Sequence, residues 1–285
     1  TSDSNMHKKT MKFLNNKFGI NTVDIELYQT YYKDGQIQPF AFPDFVHIQN
    51  TNNGYEHAEL NPFWSEFMFM YHIWKHNDLP DIIGFEQYDI HFPYHLIVPE
   101  IKKDNILFYD KLTLSGNIIT HYKNCHKNEY LDEALKIIEE TYGKDNSYIK
   151  AAKNKQFYYK SCFVMNKDTF KKLGDFMFPI LEKLDKSHNL NFDINQYKTT
   201  FSSLNKRTFG FVAERLISLF LSVNIHAEKI ILTKNIKTEN KTYNTDNHGL
   251  QPFKRYTINH TVPSQTTLVR RKPQFRNKTH FSHSF

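Results

Sequence analysis

The sequence predicts an α/β domain with a mainly parallel central sheet flanked by helices, and three observations carry that prediction. Short apolar or β-branched runs recur at 23–32, 82–85 and 157–165. Amphipathic or apolar helical stretches alternate with them, at 62–76, 131–142, 168–184 and 209–223. No clean linker divides the 285 residues, and a hydrophobic content of 39% is enough for one sizeable core. The expected organisation is a polar N-terminal extension (1–21), one folded domain (22–240) and a basic, weakly structured C-terminal tail (241–285).

In chain order, the Asn/Lys-rich start offers a short helix around Lys8 to Phe18. Val23 to Tyr32 alternates apolar and polar residues and reads as a first strand, ended by the turn Lys33-Asp34-Gly35. Phe40 to Ile48 adds an edge segment, irregular because of Pro39 and Pro43. Asn61 as N-cap and Pro62 at the first helical position open a helix. Its Phe63, Phe67, Met70, Tyr71 and Trp74 recur at helical spacing, and Lys75 and His76 close it where the helix dipole favours positive charge. Asp81 to Phe85 then reads as a buried strand, followed abruptly by Glu86, Gln87, Tyr88 and Asp89. Ligands sit at strand ends in open α/β sheets, so this polar cluster is the first functional candidate. Leu96 to Val98 and Asn105 to Tyr109 read as short strands. Leu131 to Tyr142 is an amphipathic helix stopped at Gly143, and Phe157 to Met165 is a second buried strand. Asp168 is expected to cap a helix through Leu184 with a kink at Pro179, and Phe209 to Val223 is an apolar helix interrupted by Glu214-Arg215.

Composition narrows the function classes. Glycine is scarce at 9 residues, and neither GxGxxG nor GxxxxGK[ST] occurs, which argues against glycine-rich phosphate loops. The net charge of +7 is concentrated in the tail, where Lys254, Arg255, Arg270, Arg271, Lys272, Arg276 and Lys278 face no acidic residue in sequence. Such a tail suits nucleic acid, an anionic membrane surface or no specific partner, and salt-screened tethering asks least of it. Cys125 and Cys162 form no CxxC or Cys/His ligand spacing, so a reducing compartment is the default. No apolar run approaches the ~20 residues that span a bilayer, and no signal peptide pattern opens the chain. A start at Thr1 reads as a trimmed chain or a piece of a longer polypeptide.

Three blocks together resemble a known family. They are WSEFMFMYHIWKHN (64–77) with IIGFEQYDIHF (82–92), SCFVMNKDTFKKLGDFMFPILEKL (161–184) and RTFGFVAERL (207–216). In order and spacing over about 150 residues they resemble the DUF4422 family, glycosyltransferases of bacterial capsule and O-antigen clusters, and YYKDG (31–35) falls where that family has its first-strand YHK. The resemblance implies a GT-A-like single domain, a nucleotide-sugar donor with UDP as first choice, and a glycan or glycolipid hydroxyl as acceptor. It further implies a hexosyltransferase, with galactose in pyranose or furanose form among the sugars and inversion as the expected outcome. The implied setting is the cytoplasm or the inner face of a membrane, reached through the basic tail, with nucleic acid the less favoured partner. The chain departs from the family at Gln87-Tyr88-Asp89-Ile90, where HYRR is common, and at Ser161-Cys162, where Asn-Met stands.

Inverting transfer needs a carboxylate to take the acceptor proton and positive charge or a metal to stabilise the departing diphosphate. Glu214, set in an apolar helix, is one candidate base, with a structural ion pair to Arg215 or another cation as its alternative. Asp89 at the strand end is the other candidate base, or a metal ligand, or a turn residue. Ser65 and Glu66 match the family's SE pair, and Trp74 and Lys75 its WK pair. All four are donor-site candidates with structural alternatives, as are Tyr32, Gln87 and Tyr88 at strand ends. Arg207 precedes a helix N-terminus, which itself attracts anions, and with Lys75 and Arg215 could replace a metal. GT-A enzymes commonly hold Mn²⁺ or Mg²⁺ through a DxD motif, which is missing here; the choice is between Asp89 alone anchoring an ion and basic side chains, the latter preferred. No tightly bound cofactor is expected. The rival from another class is a non-catalytic carbohydrate- or nucleic-acid-binding protein that uses the aromatics and the tail.

Overall fold

Alternation of side chains along each strand divides the interior into two unequal cores on either face of one sheet. The structure, a computed structural model, describes residues 23–236 except 34, 37–42, 77, 127–128 and 203–204. Its strands are β1 (Ile25–Tyr31), β2 (Val46–Asn50), β3 (Ile82–Gln87), β4 (Ile106–Thr113), β5 (Gln156–Asn166) and β6 (Ile230–Leu232). They lie in the order β2-β1-β3-β5-β4-β6. β2, β1 and β3 are parallel, as are β4 and β6, while β5 runs antiparallel between β3 and β4. The sheet is therefore mostly parallel, and every strand but β5 ends on the same edge.

The helices are α1 (Asn61–Trp64), α2 (Phe67–Lys75), α3 (Tyr94–Ile101), α4 (Ile118–His126), α5 (Tyr130–Tyr142), α6 (Ser147–Ala152), α7 (Lys167–Ser187), α8 (Ile194–Thr200) and α9 (Thr208–Asn224). Ile83, Phe85, Phe108, Phe163 and Met165 face the larger core, which takes in all of these helices except α3. Leu27, Ile82, Leu107, Cys162 and Val164 face the smaller one, closed by Ile90, Phe92 and by Ile97 and Ile101 of α3. Among the described residues no helix is long and apolar enough to cross a membrane.

Several expectations are corrected. The helix expected over 62–76 is two, α1 and α2, broken at Ser65, whose φ of 57° and ψ of −153° leave helical space. Asn61 is the first residue of α1 and not its cap; its amide donates to Asn52 Oδ1 at 2.8 Å. Leu96 to Val98 is helical within α3, because Ile97 and Ile101, one turn apart, are buried in the smaller core despite Pro99. Asn166, not Asp168, caps α7 by accepting from Thr169 N at 2.8 Å, and α7 continues through Pro179. The edge strand starts at Val46, later than Phe40, and α4, α6, α8 and β6 had no counterpart in the sequence pattern. The expected helix at Lys8 to Phe18 and the tail beyond 240 lie outside the described residues, as do Asp34 and Asn77.

Candidate functional site

The site is built where β1 and β3 end beside the middle of β5. In register, Gln29 lies beside Glu86 and Thr30 beside Gln87. Gln29 Nε2 donates to the Gln87 carbonyl at 2.5 Å and Thr30 Oγ1 to the Glu86 carbonyl at 2.8 Å, which fixes the last strand residues. Glu86 is wholly buried and faces the smaller core, where it accepts from Phe92 N at 2.7 Å and from the Tyr94 hydroxyl at 3.1 Å. Burial, and then the nearby Glu86, push the Tyr94 hydroxyl far above the ordinary phenol range. Glu86 thus anchors the Tyr88-Asp89 turn, while Gln87, by alternation, faces α2 on the opposite side.

The break between α1 and α2 brings Ser65 and Glu66 to meet that face. Glu66 Oε1 accepts from Gln87 Nε2 at 2.8 Å. Ser65 Oγ accepts from Arg207 Nε at 2.9 Å. Close approach of α9 permits this: a Cβ on Gly210 would stand 2.7 Å from Ser65 Oγ and 3.1 Å from the Trp64 carbonyl, so only glycine fits without movement. The guanidinium of Arg207 lies at the N-terminal end of α9, 5.8 Å from the Phe211 ring centroid, and the residue is otherwise exposed.

Glu214 lies two turns into α9. The helix is tied to β5 one turn further on, where Ser218 Oγ accepts from Tyr158 N at 3.0 Å. The Glu214 side chain is 18% exposed, enclosed yet open to solvent at one end. Burial raises its carboxyl from 4.5 to about 7; the neighbouring charge of Glu66 adds to this, while Arg215, Arg207 and Lys160 oppose it. Glu66, Arg207 and Lys160 are thus, with Arg215, the charged groups that act on the Glu214 carboxyl. Lys160, on β5, holds a left-handed φ of 63° and points its ammonium to Asp89 Oδ2 at 3.4 Å. Partial burial works against the Lys160 ammonium, but Asp89 outweighs it and raises the pKa. At the rim, the Tyr32 ring meets Tyr88 edge-on at 6.3 Å.

Of the residues singled out from sequence, Ser65, Glu66, Gln87, Arg207 and Glu214 are brought together, with Asp89 joined through Lys160 and Tyr32 and Tyr88 along the edge. Trp74 and Lys75 are not. They lie at the far end of α2, about 12 Å from Glu66 at ~1.5 Å per residue. Trp74 Nε1 donates to Asp175 at 2.9 Å, its ring fills the space over Gly174, where a Cβ would be 2.1 Å away, and Lys75 lies over the Tyr71 ring at 5.2 Å. Arg215 adjoins the group from behind: 3% exposed, it is held between the Tyr122 and Phe157 rings with Nη1 3.0 Å from Glu214 Oε2. It therefore supports Glu214 and has no open face for a donor. Asp89 pairs with a lysine, and among the described residues no three His, Cys, Asp or Glu side chains converge as ligands. Two shallow depressions, about 300 Å³ around Ser147, Lys150 and Ser222 and about 240 Å³ around Tyr142 and Lys172, lie toward the C-terminal end of α9, away from this cluster.

Sequence reasoning missed Lys160, and took Ser161 only as a departure from the family pattern. Both interrupt an otherwise apolar strand, the same signal that singled out Glu214 in its helix. Ser161 is buried, and its hydroxyl has no hydrogen-bond partner among the described residues.

A model of the family described as Domain of unknown function (DUF4422) matches residues 38–229. Among solved structures, the fold is similar to that of an apo bifunctional glycosyltransferase, WbbM, with a TM-score of 0.56 and 19% identity over 74% of this chain. That match takes in 44% of the WbbM chain, so this chain spans less than half of that protein's length. No curated protein sequence matches significantly.

Proposed function

The chain belongs to the DUF4422 family, and from that premise we propose that it is a GT-A-like glycosyltransferase moving a hexose from a UDP-sugar to a glycan hydroxyl. The observation that carries the reading is Glu214: a partly enclosed carboxyl raised to about 7, acted on by the charges of Arg207 and Lys160 at the edge where the parallel strands end. A base with a pKa near the working pH combines availability with driving force. The fold likeness to a glycosyltransferase supports the same class.

In the proposed reaction the acceptor oxygen forms a bond to the anomeric carbon as the carbon–oxygen bond to the diphosphate breaks. The electron pair leaves with the diphosphate, and the acceptor proton passes to the Glu214 carboxylate. One displacement of this kind inverts the anomeric centre. Arg207 and Lys160 supply positive charge to the departing diphosphate, and Ser65 orients Arg207 through its hydroxyl. Gln87, steadied by Glu66, is placed to hydrogen-bond the sugar, with Tyr32 and Tyr88 as the apolar rim. Asp89 keeps the Lys160 ammonium oriented. Galactose in either ring form and a surface-glycan acceptor, made at the inner face of a membrane, extend the proposal from the family resemblance.

The test is a thermal-shift and hydrolysis panel of UDP-, GDP- and CMP-sugars, with and without EDTA and Mn²⁺. A UDP-sugar should stabilise the protein, and Arg207→Ala and Lys160→Ala should each abolish most of that shift. Failure of every nucleotide sugar to bind would overturn the reading in favour of a non-catalytic carbohydrate- or nucleic-acid-binding protein.

A further inference from the structure

The Arg215 guanidinium reaches outward from Glu214 to a residue that no reading of the site has used. Its Nη1 donates to Glu214 Oε2 at 3.0 Å and to the Phe211 carbonyl at 3.1 Å. Its Nη2 lies 3.3 Å from Nδ1 of His121 on α4. A guanidinium has no acceptor capacity, so His121 Nδ1 must be the acceptor and the ring proton sits on Nε2. That fixes the tautomer, and Nε2 turns to Cys125 Sγ at 3.6 Å. Among the described residues the buried Arg215 Nε has no hydrogen-bond partner, so Nη1 and Nη2 hold the group in its plane between the Tyr122 and Phe157 rings.

We propose that His121 is a positioning residue for Glu214: by accepting from Nη2 of Arg215 it sets the guanidinium so that Nη1 stays on the carboxylate. Without that acceptor the guanidinium is free to turn within the aromatic sandwich, and Nη1 retains only the Phe211 carbonyl as a fixed partner. The groups around His121 agree with a neutral ring in this role. Arg215 faces it from α9, Cys125 and Tyr122 lie on its own helix, Phe157 packs at 5.4 Å from β5, and His126 stands one turn on against Phe211. Burial, and then Arg215, hold His121 below the usual imidazole range, so the acceptor lone pair is available at neutral pH. Protonation would set two cations face to face and release the fork.

The catalytic importance of this device rests on the proposed role of Glu214, but its existence does not, and the test separates the two. The ionisation of Glu214 is followed by carboxyl carbon NMR in the full chain, assigned by the loss of one signal in Glu214→Gln. His121→Phe keeps the ring against Phe157 and removes the acceptor, and the Glu214 pKa should rise by about one unit as the arginine drifts. His121→Asn restores an acceptor near the Nδ1 position and should return most of the shift. An unchanged pKa in a folded His121→Phe protein overturns the proposal, as does an equal shift in both variants. Should His121→Phe not fold, His121→Asn against His121→Ala gives the same comparison. A shifted pKa in a protein without transferase activity would sustain the positioning role and remove the transferase reading.

Discussion

Glu214→Gln removes an ionisation that the fold disfavours, and its effect on stability follows from the two pKa values. The carboxyl rises from 4.5 to about 7 on folding, chiefly through burial. At about 1.4 kcal/mol per unit this is roughly 3 kcal/mol. Because the folded value is the higher, the stability associated with the neutral acid is fully present below pH 4.5 and is lost as the pH rises through about 7. Glutamine has nearly the same shape and cannot ionise, so the variant lacks this loss. Losing the Arg215 partner changes its stability by an amount that does not depend on pH over this window, because arginine stays charged. Urea unfolding of both proteins at pH 4.5, 6 and 8 therefore isolates the effect. The stability of the variant minus that of the parent should climb by about 3 kcal/mol across the range, with unchanged denaturant slopes. A difference constant to within about 0.5 kcal/mol would refute the argument that Glu214 is a desolvated acid in the folded chain. The same variant should lose at least about a hundredfold in transfer rate if this carboxylate is the base.

Two further outcomes bear on the frame around the site. Gly210→Ala forces a methyl against Ser65 Oγ and the Trp64 carbonyl and should cost about 1–3 kcal/mol by urea unfolding, while donor binding weakens as Arg207 loses its register; equal stability would mean that α9 and the α1–α2 break do not meet so closely. Trp74→Phe loses the bond to Asp175 and should cost about 1 kcal/mol, yet leave donor affinity unchanged in a thermal-shift titration; a weakened donor would return the far end of α2 to the site.

Most strands and long helices were legible from local composition: β3 and β5 are short apolar runs buried on both faces, α5 and α7 carry an apolar stripe at helical spacing, and α9 is apolar nearly all round. The short elements were not. α6 and α8 are capped by Asn146 and Asp193, but with six and seven residues they have too few turns for a stripe to emerge from noise. α3 was hidden by Pro99, whose local preference against a helix interior gave way to the burial of Ile97 and Ile101. In the site, Glu214 and Asp89 stood out as charges in apolar or strand-end settings. Trp74 and Lys75 shared a helix with Glu66, and sequence periodicity does not reveal that the two ends of one helix serve opposite edges of the sheet. The break at Ser65 was invisible for a related reason: contacts with Arg207 and Gly210, more than 140 positions away, accompany it.

The left-handed backbone at Lys160 carries an implication for how this strand can vary. A side chain with a Cβ costs about 1 kcal/mol or more there relative to glycine, which adopts that geometry freely. Local backbone preference at this position therefore runs against residues with a Cβ, asparagine and aspartate least, and favours glycine. The lysine in that seat sets its ion pair with Asp89, at 3.4 Å, against the backbone cost. Glycine, asparagine and lysine at position 160 would then divide relatives into those that need an ammonium at this edge and those that have dispensed with it.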